Sequence, residues 1–111
     1  MVIKTPIIIA TVVLILTSCA ATKLSVLTEK DVAVASKKFN GITLTELNKG
    51  KSHYEQRCGN CHKLKSPGKY TQEEWDKILP RMAIKAKITG EQLDLIYKYV
   101  VTEHLVRTSR G

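Results

Sequence analysis

Five consecutive residues, Cys58-Gly59-Asn60-Cys61-His62, bring two thiols and an imidazole together at a short, fixed spacing. Two cysteines three positions apart can each add to one vinyl group of a haem, and a histidine directly after the second can bind the iron. Few other chemistries need a histidine at that position. The spacing therefore predicts covalent haem attachment through Cys58 and Cys61, with His62 as an iron ligand.

Other uses of the cysteine pair are weaker alternatives. A structural zinc site needs four ligands, and the remaining histidines, His53 and His104, do not form the second ligand pair. A redox dithiol of this spacing belongs at the junction of a strand and a helix, whereas the polar, helical stretch 49–57 precedes Cys58. A structural disulfide is the last alternative.

The N-terminal residues have the pattern of an export signal. Lys4 is followed by an apolar run over 7–16, which is too short for a comfortable spanning helix of about 20 residues. The run ends in Leu16-Thr17-Ser18-Cys19, which resembles the bacterial lipobox. That resemblance implies that 1–18 is a lipoprotein signal peptide and that Cys19 becomes the first mature, acylated residue; an ordinary signal peptide or a retained anchor are the alternatives.

The three cysteines then divide completely between lipid and haem. The lipobox predicts a bacterial cell-envelope protein that faces the periplasm, and Ala20 favours the outer membrane, since many inner-membrane lipoproteins carry Asp at that position. The formal net charge of +8 suggests an acidic redox protein, a membrane oxidoreductase or anionic headgroups as partners. An ordinary solvated surface would have the same composition. Nucleic acid is not an expected partner of an exported lipoprotein.

Apolar spacing and helix-start signals divide the rest of the chain. Residues 19–41 are predicted to be a tether with one short helix beginning near Thr28, and 42–111 to be a single domain. Three further helices are predicted to begin at Thr43 or Thr45, at Thr71 and at Thr89, the last two with capping-box patterns. Their apolar positions recur at helical spacing: Leu44, Leu47, Gly50 and Tyr54; Trp75, Ile78, Leu79, Met82 and Ala86; Leu93, Ile96, Tyr97, Val100 and Val101. No alternating strand pattern competes, so the fold class is predicted to be all-α.

Residues 47–100 resemble a class I cytochrome c domain of the small bacterial kind. The matching positions are Gly50, Tyr54, the Cys58-x-x-Cys61-His62 motif, Pro67, Trp75, Met82 and Tyr97. The resemblance implies a fold of three to four helices around one covalently bound haem c. It also implies that the first and last helices of the domain cross closely, with Gly50, Tyr54 and Tyr97 at the contact.

The resemblance also implies roles around the iron. His62 would be the proximal ligand, with the Pro67 carbonyl accepting its second N–H. Trp75 would donate its indole N–H to a haem propionate, or else be a core aromatic residue with that N–H at the surface.

Met82 is predicted to be the sixth ligand, because it is the only methionine left after removal of the signal peptide. Pro80 is expected to kink or restart the helix and so to aim Met82 at the iron. Met82 as a simple core residue, His104 or His53 as the ligand, and an open iron site are the alternatives.

Methionine and histidine ligation suits reversible one-electron transfer. The sequence therefore predicts a monohaem, membrane-anchored electron carrier, expected to be a monomer and not an enzyme. A haem sensor or a peroxide-reducing enzyme, with an open or displaceable sixth ligand, is the alternative.

Overall fold

The computed structural model describes residues 24–58 and 65–110. Within these ranges the chain forms four α-helices: α1 (Glu29–Ser36), α2 (Leu44–His53), α3 (Gln72–Ala86) and α4 (Gly90–Arg110). A π-helical turn, Tyr54–Cys58, extends α2, and a short 3-10 helix, Pro67–Lys69, precedes α3. The same ranges contain no strand, so the predicted all-α class is confirmed for them. The predicted signal peptide, Cys19, Cys61 and His62 lie outside the described residues.

Threonine caps set the beginnings of the three long helices. The hydroxyl of Thr43 accepts a hydrogen bond from a backbone N–H one turn later, which settles the start of α2. At α3 the Glu74 N–H donates to the Thr71 hydroxyl over 3.2 Å, and the Thr71 N–H donates back to the Glu74 carboxylate over 3.3 Å. Thr89 and Gln92 exchange the equivalent pair at α4. The predicted capping signals are confirmed, because each side chain satisfies a backbone donor that the first helical turn leaves unpaired.

Helix α2 crosses α4 at close range, and this crossing depends on Gly50. A Cβ atom at Gly50 would overlap the Leu95 carbonyl oxygen and lie 2.8 Å from the Cβ of Tyr99. The predicted close approach at Gly50 is therefore confirmed. The aromatic residue at the contact is Tyr99 and not the predicted Tyr97, because two positions along a helix lead to nearly the opposite face. Tyr97 instead packs edge-on against Phe39, with 6.0 Å between ring centroids.

Helix α1 belongs to the folded core, which differs from the tether predicted over 19–41. Ala35 is completely buried, and Leu27 and Ile42 on either side of the helix are almost so. The buried Asp31 carboxylate accepts a hydrogen bond of 2.8 Å from the Thr28 backbone N–H and so caps the helix. The buried apolar positions, Leu27, Ala35 and Ile42, lie seven or eight residues apart, and the partly buried Val32 and Phe39 complete the contact. The helix itself has only eight residues, so its apolar pattern in the sequence is short.

Helix α3 runs from Gln72 to Ala86 with Pro80 inside it. The restart predicted at Pro80 is therefore absent, although proline supplies no N–H to the preceding turn. The helix ends where Lys87 takes a left-handed conformation, at φ 53°. Neither 24–58 nor 65–110 contains a helix that combines the length and hydropathy needed to cross a bilayer.

Glu103, half-buried on α4, gives the fold a pH dependence. Burial raises the pKa of its carboxyl above the ordinary 4.5, Asp31 raises it further, and Lys51 and Arg110 oppose the shift. Because the folded state binds this proton more tightly than the unfolded chain, the stabilisation it gives is complete below the unfolded pKa and is lost as pH rises through the raised folded pKa. Glu103→Gln should match the parent at about pH 4 and exceed its stability at about pH 7 in urea unfolding. Glu91→Gln, in the exposed first turn of α4, should show no such gain; an equal gain there would contradict the assignment.

Candidate haem-attachment site

Cys58 ends the π-helical turn that extends α2, and its side chain is 7% exposed. Gly50, two helical turns before Cys58, fixes the position of α2 against α4. The position of Cys58, the first residue of the cysteine motif, is therefore also defined. Turns of the wider π type occur often at functional sites. Cys61 and His62 follow within 59–64, outside the described residues.

Four aromatic rings lie around this point and form what we call the aromatic cluster: Tyr54, Tyr70, Trp75 and Tyr99. Ring centroids are 6.1 Å apart for Tyr54 and Trp75, 5.1 Å for Tyr70 and Trp75, and 5.8 Å for Tyr54 and Tyr99. The first two pairs are edge-on, a favourable arrangement for aromatic rings. The cluster joins α2, α3 and α4 at the place where the motif begins.

The Tyr54 hydroxyl donates a hydrogen bond to the backbone carbonyl of Lys65. Lys65 is the first described residue after the motif, and Tyr54 lies one turn before Cys58. The two ends of the segment that carries Cys61 and His62 are therefore tied to the same cluster. This bond gives Tyr54 a positioning role that the sequence analysis did not assign.

Burial raises the pKa of the Cys58 thiol to about 11, so the thiol is protonated at neutral pH. A reactive redox cysteine works as a thiolate, and burial disfavours that charge. A thioether to a haem vinyl group is neutral, and the flat, apolar ring suits an aromatic wall. The residues present at this end of the motif therefore fit a thioether link to haem. In the described parts of the chain no three or more Cys, His, Asp or Glu side chains are grouped to hold a metal ion.

Pro67 and Trp75, two predicted site residues, contact each other. The Trp75 indole N–H donates a buried hydrogen bond of 3.0 Å to the Pro67 carbonyl oxygen. The carbonyl keeps a second lone pair that can accept the predicted bond from His62, but the indole has a single N–H. The predicted donation from Trp75 to a propionate would require this bond to break, and the alternative of a surface N–H is not what the structure shows.

We predict that Trp75→Phe lowers the free energy of unfolding by about 2 kcal/mol, because the buried Pro67 carbonyl loses the hydrogen bond from the indole N–H. Phenylalanine keeps an aromatic ring in the cluster. Tyr70→Phe is the matched control, since it changes another ring of the cluster and leaves this bond intact. Chemical denaturation of the three proteins measures the difference, and equal losses in both variants would contradict a role for the hydrogen bond.

Met82 is half-buried on α3, seven residues after Trp75. Seven residues are two helical turns, so both side chains lie on one face of α3, about 10 Å apart along the axis. Met82 packs against the core from this face, as do Ile78 and the buried Leu79. The helix that completes the aromatic cluster therefore also carries the only described methionine.

His104, the rival iron ligand, lies beside the 3-10 helix at Pro67. Its Nδ1 is 3.3 Å from the Gly68 carbonyl oxygen, and a Cβ at Gly68 would be only 3.1 Å from the Glu103 carbonyl. Gly68 and His104 thus hold the Pro67 turn against α4. This close approach was not predicted, although a glycine directly after Pro67 was a possible signal.

His53 is half-buried and lines a separate groove of about 460 Å³ between α2 and the start of α4. Other residues of this groove are Lys49, Ser52, Gln56 and Gln92. Most of the residues that line this groove are polar, and neither Tyr54 nor Cys58 is among them.

Comparisons of the chain with protein-family models, with curated proteins and with solved structures return no match.

Proposed function

We propose that this protein is a monohaem c-type cytochrome, a membrane-anchored carrier of single electrons. The observation that carries the proposal is the Cys58-x-x-Cys61-His62 spacing at the end of a helix whose position is fixed by a glycine crossing. The buried, uncharged environment of Cys58 supports a thioether at the first attachment position.

In this proposal each residue has one task. Cys58 and Cys61 would hold haem c covalently, and His62 and Met82 would bind its iron. The Pro67 carbonyl accepts the second N–H of His62 and so orients the imidazole. The bound haem would supply a site that gains and loses one electron, and the aromatic cluster would keep water from its attachment edge.

The proposal includes a place in the cell. Cys19 would carry lipid and hold the protein at a bacterial envelope membrane, facing the periplasm, with the outer membrane favoured by Ala20. The basic composition suits an acidic redox protein or a membrane oxidoreductase as partner. The unit is expected to be a monomer.

Covalent attachment is the first test. The chain produced with a haem-maturation system should gain the mass of one haem, which stays bound through denaturing electrophoresis. Cys61→Ser and Cys58→Ser should each lose one of the two thioether links, whereas Ser52→Ala, on the preceding helix, should retain both. A parent chain that carries no covalent haem would overturn the proposal and return the cysteine pair to zinc or dithiol chemistry.

One observation favours the alternative of a haem sensor or a peroxide-reducing enzyme. Pro80 removes a backbone hydrogen bond from the middle of α3, two residues before the half-buried Met82. A helix weakened there can release its methionine from iron more readily than an intact one. Rapid binding of carbon monoxide to the reduced parent protein would support this alternative over the electron carrier.

A further inference from the structure

The folded core begins very close to the proposed lipid anchor. Leu24 already packs against the core, and the Ser25 carbonyl accepts a hydrogen bond of 3.0 Å from the Lys51 side chain on α2. Leu24 is five positions after Cys19, and a fully extended chain over those five steps spans at most about 18 Å. A lipid on Cys19 would therefore hold one particular end of the domain near the bilayer.

Contacts of α1 with α2 and α4 identify that end. Helix α1 packs along α4, and Phe39, just after α1, packs on Tyr97 in the first half of α4. The Lys51 side chain on α2 reaches Ser25, just before α1. The N-terminal end of α1 therefore lies toward the C-terminal half of α4, which agrees with the action of Asp31, Lys51 and Arg110 on the Glu103 carboxyl. Gly90, at the other end of α4, is thirteen residues away from Glu103, or about 20 Å along the helix.

The end near the anchor has the chemistry of a surface that contacts lipid headgroups. Val26 is 78% exposed, and the cations of Lys30, Lys51 and Arg110 belong to the same end. Asp31 is buried by its capping role and Glu103 is half-buried, so Glu29 is the exposed carboxylate among these residues. An exposed aliphatic side chain among cations suits the boundary between phosphates and acyl chains.

We propose that this end of the domain, which we call the anchor face (Ser25, Val26, Lys30, Lys51 and Arg110), lies against the phospholipid bilayer. The inference rests on the proposed acylation of Cys19. The opposite end, where α3 passes into α4, then faces away from the membrane. That end carries Ile84, which is 82% exposed, with Arg81 and Lys85 beside it on α3, and it stays free to meet a protein partner.

Val26 and Ile84 provide a matched pair for the test, since both are exposed aliphatic residues at opposite ends of the domain. Val26→Cys and Ile84→Cys are made in the full acylated, haem-loaded protein and labelled with a thiol-reactive fluorophore. Each is placed on vesicles of phosphatidylethanolamine and phosphatidylglycerol that contain headgroup-nitroxide lipid. We expect the label at 26 to be quenched several-fold more strongly than the label at 84. Equal quenching, or stronger quenching at 84, overturns the proposal.

A longer connection isolates the cause. A Gly/Ser insert of about 20 residues between Thr22 and Lys23 should reduce the difference between the two labels, because a flexible chain of that length no longer restricts the domain. An unchanged difference would overturn the argument from chain length. Mass measurement of the N-terminal peptide reports acylation of Cys19 separately, so loss of the anchor is distinguished from a wrong orientation of an anchored protein. The parent protein, treated with the same fluorophore, controls for stray labelling, because its two motif cysteines would be in thioether linkage.

Discussion

Gly50→Leu should strongly destabilise the folded domain. The nearest neighbours of a side chain at this position are the Leu95 carbonyl and the Tyr99 Cβ, which are backbone or fixed to it. They cannot turn away as the tip of a flexible side chain can, so α2 and α4 would have to separate. Overpacking of this kind costs about 3 kcal/mol, a large part of the roughly 5 to 15 kcal/mol that stabilises a domain. Thermal and urea unfolding measure the loss.

Gly90 supplies the matched control for this substitution. A Cβ at Gly90 meets nothing within 4 Å, and the residue begins α4. Gly50→Ala should therefore lower the melting temperature strongly, whereas Gly90→Ala should leave it unchanged or raise it slightly. A Gly50→Leu protein that melts like the parent would show that the two helices do not cross at this point.

Replacement of Met82, the proposed sixth ligand, by alanine should lower the reduction potential of the proposed haem and open its iron to external ligands. Loss of a thioether ligand removes the stabilisation that methionine gives to ferrous iron, and axial ligands shift haem potentials over a range of about 0.8 V. We expect a fall on the order of 0.1 V or more within that range. Redox titration measures the potential, and binding of carbon monoxide and cyanide measures access to the iron.

Two further variants separate ligation from packing. Met82→Leu keeps the volume of the side chain but removes the sulfur, so it should reproduce the loss of potential with little loss of stability. Ile78→Ala, on the same side of α3 and also packed against the core, should lower stability and leave the potential unchanged. A Met82→Leu protein with the spectrum and potential of the parent would make Met82 a core residue only.

The features that were predictable from the sequence are those with local causes. Thr71 and Thr89 are cap residues followed three positions later by a side chain that returns the hydrogen bond, and both begin helices as expected. Gly50 lies in the middle of a helix, where glycine costs about 1 kcal/mol of stability relative to alanine. Close approach of another helix was therefore the expected reason for a glycine at this position. The structure confirms it.

The features that were missed depend on contacts between distant parts of the chain. The packing of α1 comes from single apolar residues such as Leu27 and Ala35, each of which looks ordinary alone. The choice of Tyr99 over Tyr97 at the crossing depends on the rotation of α4, which the neighbouring aromatic positions leave ambiguous. The hydrogen bond from the Trp75 indole to the Pro67 backbone carbonyl joins groups eight residues apart. Every residue has a backbone carbonyl, so the residue types do not indicate which one accepts the bond.

The proposed site was assigned from the sequence alone, because covalent attachment of haem would require adjacent residues in a fixed order, and that assignment stays a prediction. Cys58, Cys61 and His62 are recognisable without knowledge of the fold. The sixth ligand is different, since any methionine or histidine that the fold brings to the iron can serve. The packing of the folded domain decides whether Met82 or His104 lies near the iron, and the order of residues in the sequence does not show that packing.

The absorption spectrum of the matured protein, oxidised and then reduced, tests the central claim most directly. We expect sharp c-type bands in the reduced state and, in the ferric state, the weak band that arises from sulfur bound to iron. Both together would establish covalent haem with Met82 as ligand and support the one-electron carrier. A covalent haem that lacks the sulfur band in the ferric protein would contradict Met82 ligation, and the absence of haem bands would contradict the proposed function as a whole.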